Sequence, residues 1–278
     1  MAVRRQTRRK KIQTPGPNQC HPAIDKYGRI NKDLCLPTEV LERSAAILKV
    51  PVKDISDKIG VKKTDRRSFL MALPIEQNEK IQLAEKYLRP AMPSAWKDDP
   101  DMWLDSNNIR DVMKQYEVAR SDFKFLGPFP IDFAAKDPYV KEETCLIREM
   151  CSLNLGKESI KGKKKIGIIF NLDTHDKGGS HWVAAFIDIP KKACYYFDSY
   201  GYEPPKQIYN FMQSLGVQEP KIKLGWNGRR FQYSNSECGM YSMYFIDRML
   251  AGEPYLKFCR RAPPDRFMLD MRDWMFST

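Results

Sequence analysis

The sequence predicts a fold that mixes helices with strands, and three stretches predict it. The run 239–250, Gly-Met-Tyr-Ser-Met-Tyr-Phe-Ile-Asp-Arg-Met-Leu, reads as a largely buried helix ended by Gly252. The runs 179–189 and 194–199 are rich in aromatic and β-branched residues and are joined by Pro190, Lys191 and Lys192. They read as an antiparallel hairpin. The N-terminal third carries short amphipathic helix patterns instead. With 42% hydrophobic and 12% aromatic residues, the 278-residue chain can bury a substantial core, which excludes a disordered protein.

Taken in order, the chain divides into a basic tail (1–19), a helical module (20–94) and a larger C-terminal domain (95–278). Residues 1–94 hold 20 Lys and Arg against 10 Asp and Glu, so a net +10 of the chain's +12 lies there. Arg4, Arg5, Arg8, Arg9, Lys10 and Lys11 contain no acid among them. Nuclear import, nucleic-acid contact and a solvated tail are all compatible with such a cluster. Cys20, His21 and Cys35 lie close in sequence but lack a fourth ligand, so no metal is expected. Helices are expected over 38–48, 54–60 and 77–88, the last with Ile81, Ala84 and Leu88 on one face. Pro90 and Pro93 mark 89–94 as a linker.

Seven cysteines without C-x-x-C spacing suggest neither a disulfide framework nor a zinc site. No apolar run reaches membrane-spanning length, and no apolar segment follows the basic start as in a signal peptide. A reducing compartment is therefore expected. No Gly-rich phosphate loop is present, so no cofactor is expected.

The C-terminal domain opens with a polar start at Trp103 and an amphipathic helix carrying Ile109, Val112, Met113 and Tyr116. A loop is expected over 125–133, then a helix through 145–147, a solvated lysine run at 161–165 and a strand at 166–172. After the hairpin comes a helix with Ile208, Phe211, Met212 and Leu215, stopped by Gly216. Strands around 222–224 and 230–232 flank the turn signal Asn227-Gly228, and a last helix covers 265–274.

Cys238 stands where the polar run 231–237 gives way to the buried helix. Unpaired backbone N–H groups and the positive end of the dipole at such a position favour thiolate over thiol. In the hairpin, paired residues have numbers with a constant sum. Pairing His181 with Asp198 centres the turn between Ile189 and Pro190 and brings an imidazole and a carboxylate together at the open end. That is the base and orienter a thiol nucleophile needs. Gln232 can offer an amide N–H to a developing oxyanion, with the backbone N–H of Cys238 as a second donor. His175 is the rival base, but it sits in a turn-rich loop with no strand to fix it.

The order His181-Trp182, Asp198, Gln232, Cys238-Gly239, with spacings of 17 from His to Asp and 6 from Gln to Cys, resembles the SUMO-specific cysteine proteases and their adenovirus and large-DNA-virus relatives. The resemblance runs from near Trp103 onward. It implies an α+β, permuted papain-like fold: a central mixed sheet flanked by helices, with the small helical module added at the N-terminal side. In that family two tryptophans, at the positions of Trp103 and Trp182, roof a tunnel over the scissile peptide. The implied activity is thiol-dependent cleavage after Gly-Gly or another small-Gly pair. The implied substrate is a viral structural polyprotein or a ubiquitin-like modifier, and the setting is the host cytoplasm, the virion or the nucleus. Asp105 stands where modifier-processing members usually carry Asn. The contrasting class is a non-enzymatic nucleic-acid-binding protein built on a dead protease scaffold.

Overall fold

The computed structural model describes residues 20–136 and 144–278, and the basic cluster of residues 4–11 lies outside them. A two-stranded ribbon, β1 (Ile30–Asn31) and β2 (Leu36–Pro37), leads into α1 (Thr38–Leu48), α2 (Ile55–Ile59), α3 (Arg66–Ala72) and α4 (Gln77–Tyr87). Their own core includes Leu36, Leu41, Ile55, Phe69 and Leu70. Helix α3 was not expected; its signal is Asp65, whose carboxylate caps the helix by accepting from the Ser68 N–H. Helix α4 buries Leu83, Ala84 and Tyr87 and leaves Ile81 exposed, and Tyr87 packs edge-on to Tyr27.

The expectation that the cysteines form no disulfides fails. Cys20 is disulfide-bonded to Cys35, and Cys145 to Cys151, with Cα separations of 5.3 and 6.4 Å. Spacing along the chain says nothing about distance through space, so the absence of a framework pattern did not reveal them. The segment 89–94, expected as a linker, is pinned by hydrogen bonds: Met92 N–H donates to the Ser277 carbonyl, and Ser277 N–H donates to the Pro90 carbonyl. The Arg67 N–H reaches the Thr278 carbonyl, so the helical module grips residues 277 and 278.

The remainder is built on a five-stranded mixed sheet in the order β3 (Phe123–Pro130), β4 (Lys165–Asn171), β5 (Trp182–Asp188), β6 (Ala193–Phe197), β7 (Lys223–Trp226). The outer pairs are parallel and the inner pairs antiparallel. Strand β3 falls where a loop was expected. As an edge strand it tolerates Pro128 and Pro130, and its register breaks between Leu126 and Phe129.

Helices cover both faces, so the central strand β5 is buried along its whole length. Ala184 and Phe186 point toward α5 (Ser106–Ala119) and α9 (Cys238–Leu250), whereas Val183, Ala185 and Ile187 meet α8 (Lys206–Gln218). Helix α5 starts on a capping box between Asp105 and Asn108. Helix α8 runs through Gly216, and residues 230–232 form no strand. Helices α6 (Arg148–Cys151) and α7 (Leu155–Ile160) lie beyond the helix expected at 145–147. After α10 (Tyr255–Cys259), the expected last helix is broken into α11 (Asp265–Asp270) and α12 (Arg272–Met275).

Candidate active site

Cys238 is the first residue of α9 and is buried. The residue before it, Glu237, receives a two-pronged contact from Arg272 on α12: Nη2 to Oε1 at 2.6 Å and Nε to Oε2 at 3.2 Å. The residue after it must be small. A Cβ on Gly239 would lie 3.2 Å from the Trp182 ring and 3.3 Å from the Leu104 side chain, tighter than ordinary contact. The nucleophile candidate is thus held from both sides.

The hairpin register differs from the expected one. Ala184 pairs with Phe197 and Asp188 with Ala193, so the turn sits one residue later. Continued outward, this register sets His181 opposite position 200 and Asp198 opposite position 183. A shift of two positions keeps every side chain on its original face. His181 and Asp198 therefore still meet, diagonally, with Nε2 2.7 Å from Oδ1. Asn227, expected only as a turn residue, is buried and clasps the backbone of Asp198. Its Oδ1 accepts from the Asp198 N–H at 2.9 Å and its Nδ2 donates to the Asp198 carbonyl at 2.7 Å. No pattern in the sequence marked that role. Burial opposes a charge on the His181 ring, but hydrogen bonding to Asp198 and Cys238, with their charges, outweighs it and pushes the pKa up to about 9.

Gln232 is fully buried. Its Oε1 accepts from Ser199 Oγ at 2.7 Å, and its Nε2 donates one hydrogen to the Ser234 carbonyl at 2.8 Å. The amide's second hydrogen remains for another acceptor. Ser199 also takes the backbone N–H groups of Phe231 and Gln232 on its carbonyl, tying this loop to the turn after β6. From the other side, Asp265 accepts from the N–H groups of Tyr233 and Ser234 and from the Tyr241 hydroxyl.

A cleft of about 500 Å³ is lined by residues that flank His181 in the chain, and not by Cys238, Asp198 or Gln232. Trp103 and Trp182 both line it, together with Phe129, Pro130 and Ile147. Trp103 is 48% exposed, while Trp182 is 7% exposed and fixed by its Nε1–H to the Leu104 carbonyl at 2.9 Å. Ser180 and Trp182, the chain neighbours of His181, both border the cleft. His175 borders it too, and its ring meets Asp132 at 2.6 Å. Among the described residues no cluster of three His, Cys, Asp or Glu side chains could hold a metal, and no helix is long and apolar enough to cross a membrane.

A thiol opening a helix, beside an imidazole oriented by a buried carboxylate on a mixed sheet, is the equipment of a cysteine peptidase. Residues 143–272 match the profile of the Ulp1 protease family, C-terminal catalytic domain. The chain is 31% identical to the SUMO-1 cysteine protease of African swine fever virus, over 95% of this chain and 96% of that protein. It is 37% identical over 159 residues to a thiol protease of Acanthamoeba polyphaga mimivirus, covering 55% of this chain and 49% of that protein, about half its length. The crystal structure of the African swine fever virus protease superposes with a TM-score of 0.70 at 21% identity, over 95% of this chain and 97% of that one, a likeness of fold. The chain belongs to the Ulp1 protease family and is a cysteine-type peptidase.

Proposed function

We propose that Cys238 is the nucleophile, His181 the base, Asp198 its orienter and Gln232 an oxyanion donor, in an endopeptidase that cuts after a small-Gly pair. The Cys238 proton passes to His181, and the sulfur attacks the scissile carbonyl carbon. The oxygen that gains charge is met by the free hydrogen of Gln232 and the Cys238 backbone N–H. His181 then returns its proton to the leaving amine, and water releases the acyl group from sulfur.

The observation that carries the specificity is the shared cleft of Trp103 and Trp182 beside His181. A peptide threaded between two indoles passes most easily as glycine, which has no side chain and whose backbone extends freely. Two uses compete. Maturation of viral structural or core polyproteins is favoured because the relatives above are viral proteins. Processing of a SUMO-like modifier is supported by the likeness to the SUMO-1 cysteine protease of African swine fever virus. The host cytoplasm or the virion is the proposed setting. Peptides ending in Gly-Gly or Gly-Ala before the cut, together with a SUMO precursor, test the reading. Gly-Gly should be cleaved and Gly-Ala resisted by well over the ~10- to 200-fold usual for one methylene. Preference for a large or charged residue before the cut refutes it.

A further inference from the structure

We propose that Tyr200 is a positioning residue for His181 and that Arg230 holds it in place. The inference rests on the proposed role of His181 and goes beyond it to groups outside the quartet. The hydrogen bonds to Asp198 and Cys238 fix atoms at the ring edge but do not by themselves fix the tilt of the imidazole plane. The Tyr200 ring removes this freedom: it stacks on His181 with centroids 4.7 Å apart and planes 17° from parallel. Its backbone N–H also donates, at 2.9 Å, to Asp198 Oδ1, the same oxygen that meets His181 Nε2. One residue therefore sets both the plane of the base and the position of its orienter.

Tyr200 is itself braced. The Arg230 guanidinium carbon lies 5.2 Å from the Tyr200 centroid and 5.0 Å from that of Tyr233, whose ring is largely exposed. Arg230 Nε donates to the Gln232 carbonyl at 2.7 Å. The chain of contacts runs from the base through Tyr200 and Arg230 to the loop that carries the oxyanion donor. Gly201 permits the tight turn beneath it, with φ +82° and a Cβ position only 2.8 Å from the Arg229 backbone.

An aromatic face beside an imidazole also favours its charged form. The groups that face the His181 ring are Asp198 at the end of β6, Cys238 on α9 and Tyr200 from the turn, with Arg230 behind Tyr200. Removing the ring leaves the first two in place, so its contribution can be read separately.

The test uses the full chain, a Gly-Gly peptide, and the pH dependence of both turnover and Cys238 alkylation by iodoacetamide. Tyr200→Leu should lower kcat by roughly 10- to 100-fold with KM within about twofold, as expected of a misplaced base. It should also move the upper pH limit down by about half a unit to one unit. Tyr200→Phe, which keeps the ring, should restore both. Arg230→Gln, on the surface and mild for folding, should lower kcat several-fold without raising KM. Wild-type kcat and pH limit in Tyr200→Leu overturn the inference, as does a Tyr200→Phe variant as poor as Tyr200→Leu, or unchanged kcat in Arg230→Gln. Cys238→Ala serves as the reference: residual turnover there defeats the catalytic assignment itself, whereas a dead Cys238→Ala beside a normal Tyr200→Leu defeats only the stack.

Discussion

His181 and Asp198 meet diagonally rather than face to face, with Nε2 2.7 Å from Oδ1. The pairing that continues the β5–β6 register would set Asp198 opposite Val183, two residues further along the strand. A diagonal contact of this kind needs the carboxylate held from behind, and Asn227 does so through both backbone groups of Asp198. Asn227→Ala is expected to lower kcat about tenfold or more with little change in KM, because it displaces the orienter without touching substrate. Asp198→Asn should keep measurable activity if the carboxylate mainly orients the ring. Steady-state kinetics of the two variants check this, and a rise in KM alone in Asn227→Ala contradicts it.

The charge on His181 gives a pH signature. Its folded pKa is raised from about 6.5 to about 9, so the protonated ring is the favoured form in the fold. The stabilisation this contributes is fully present below pH 6.5 and is lost as pH rises through 9. Turnover should decline over the same upper range, as the imidazolium that protonates the leaving amine disappears. A pH–kcat/KM profile from 5 to 10 checks this. A fall centred near 6.5 would mean that Asp198 and Cys238 do not hold the proton on the ring.

His175 tests the choice of base. Its ring and its backbone N–H both bind Asp132, at 2.6 and 3.0 Å, which anchors the loop 173–180 along the cleft. His175→Ala should raise KM severalfold and spare kcat, whereas His181→Ala should abolish turnover. The reverse pattern moves the base to His175.

Glu237 and Arg272 form a buried pair directly ahead of Cys238, both at most 4% exposed. Arg272 also lies over the Trp96 ring, 4.3 Å from its centroid. Arg272→Ala leaves the Glu237 carboxylate buried without its partner, and loss of one member of such a pair costs about 3–5 kcal/mol. Chemical denaturation should show a loss of that order. A loss below about 1 kcal/mol would show that solvent reaches Glu237 readily.

The site was legible because its chemistry depends on residue type and order, which a chain displays directly. That His181 and Asp198 meet could be read from a hairpin, and the two-residue register error did no harm because it preserved the face; Cys238 was joined to them by the order and spacing that resemble the family. Features set by through-space proximity were not legible. The Cys20–Cys35 and Cys145–Cys151 bridges join spacings that mean nothing until the chain is folded. Asn227 looked like a turn residue because Asn-Gly is a turn signal wherever it stands, and only the parallel pairing of β7 with β6 reveals its clasp on Asp198. Strand β3 was hidden by Gly127, Pro128 and Pro130, which an edge position accommodates.

The most direct test of the account is intact and peptide mass spectrometry after labelling with a thiol-reactive Gly-Gly peptide probe, in parallel with a SUMO-based probe. Cys194, Cys238 and Cys259 are the free thiols. Burial pushes the Cys194 thiol up to about 12 and raises that of Cys259, which leaves both poor nucleophiles at neutral pH. The account predicts a single adduct from the Gly-Gly probe, mapped to Cys238, that disappears in Cys238→Ala and is suppressed in His181→Ala. An adduct on Cys194 or Cys259 at equal rate, or labelling of Cys238 that is indifferent to His181, contradicts it.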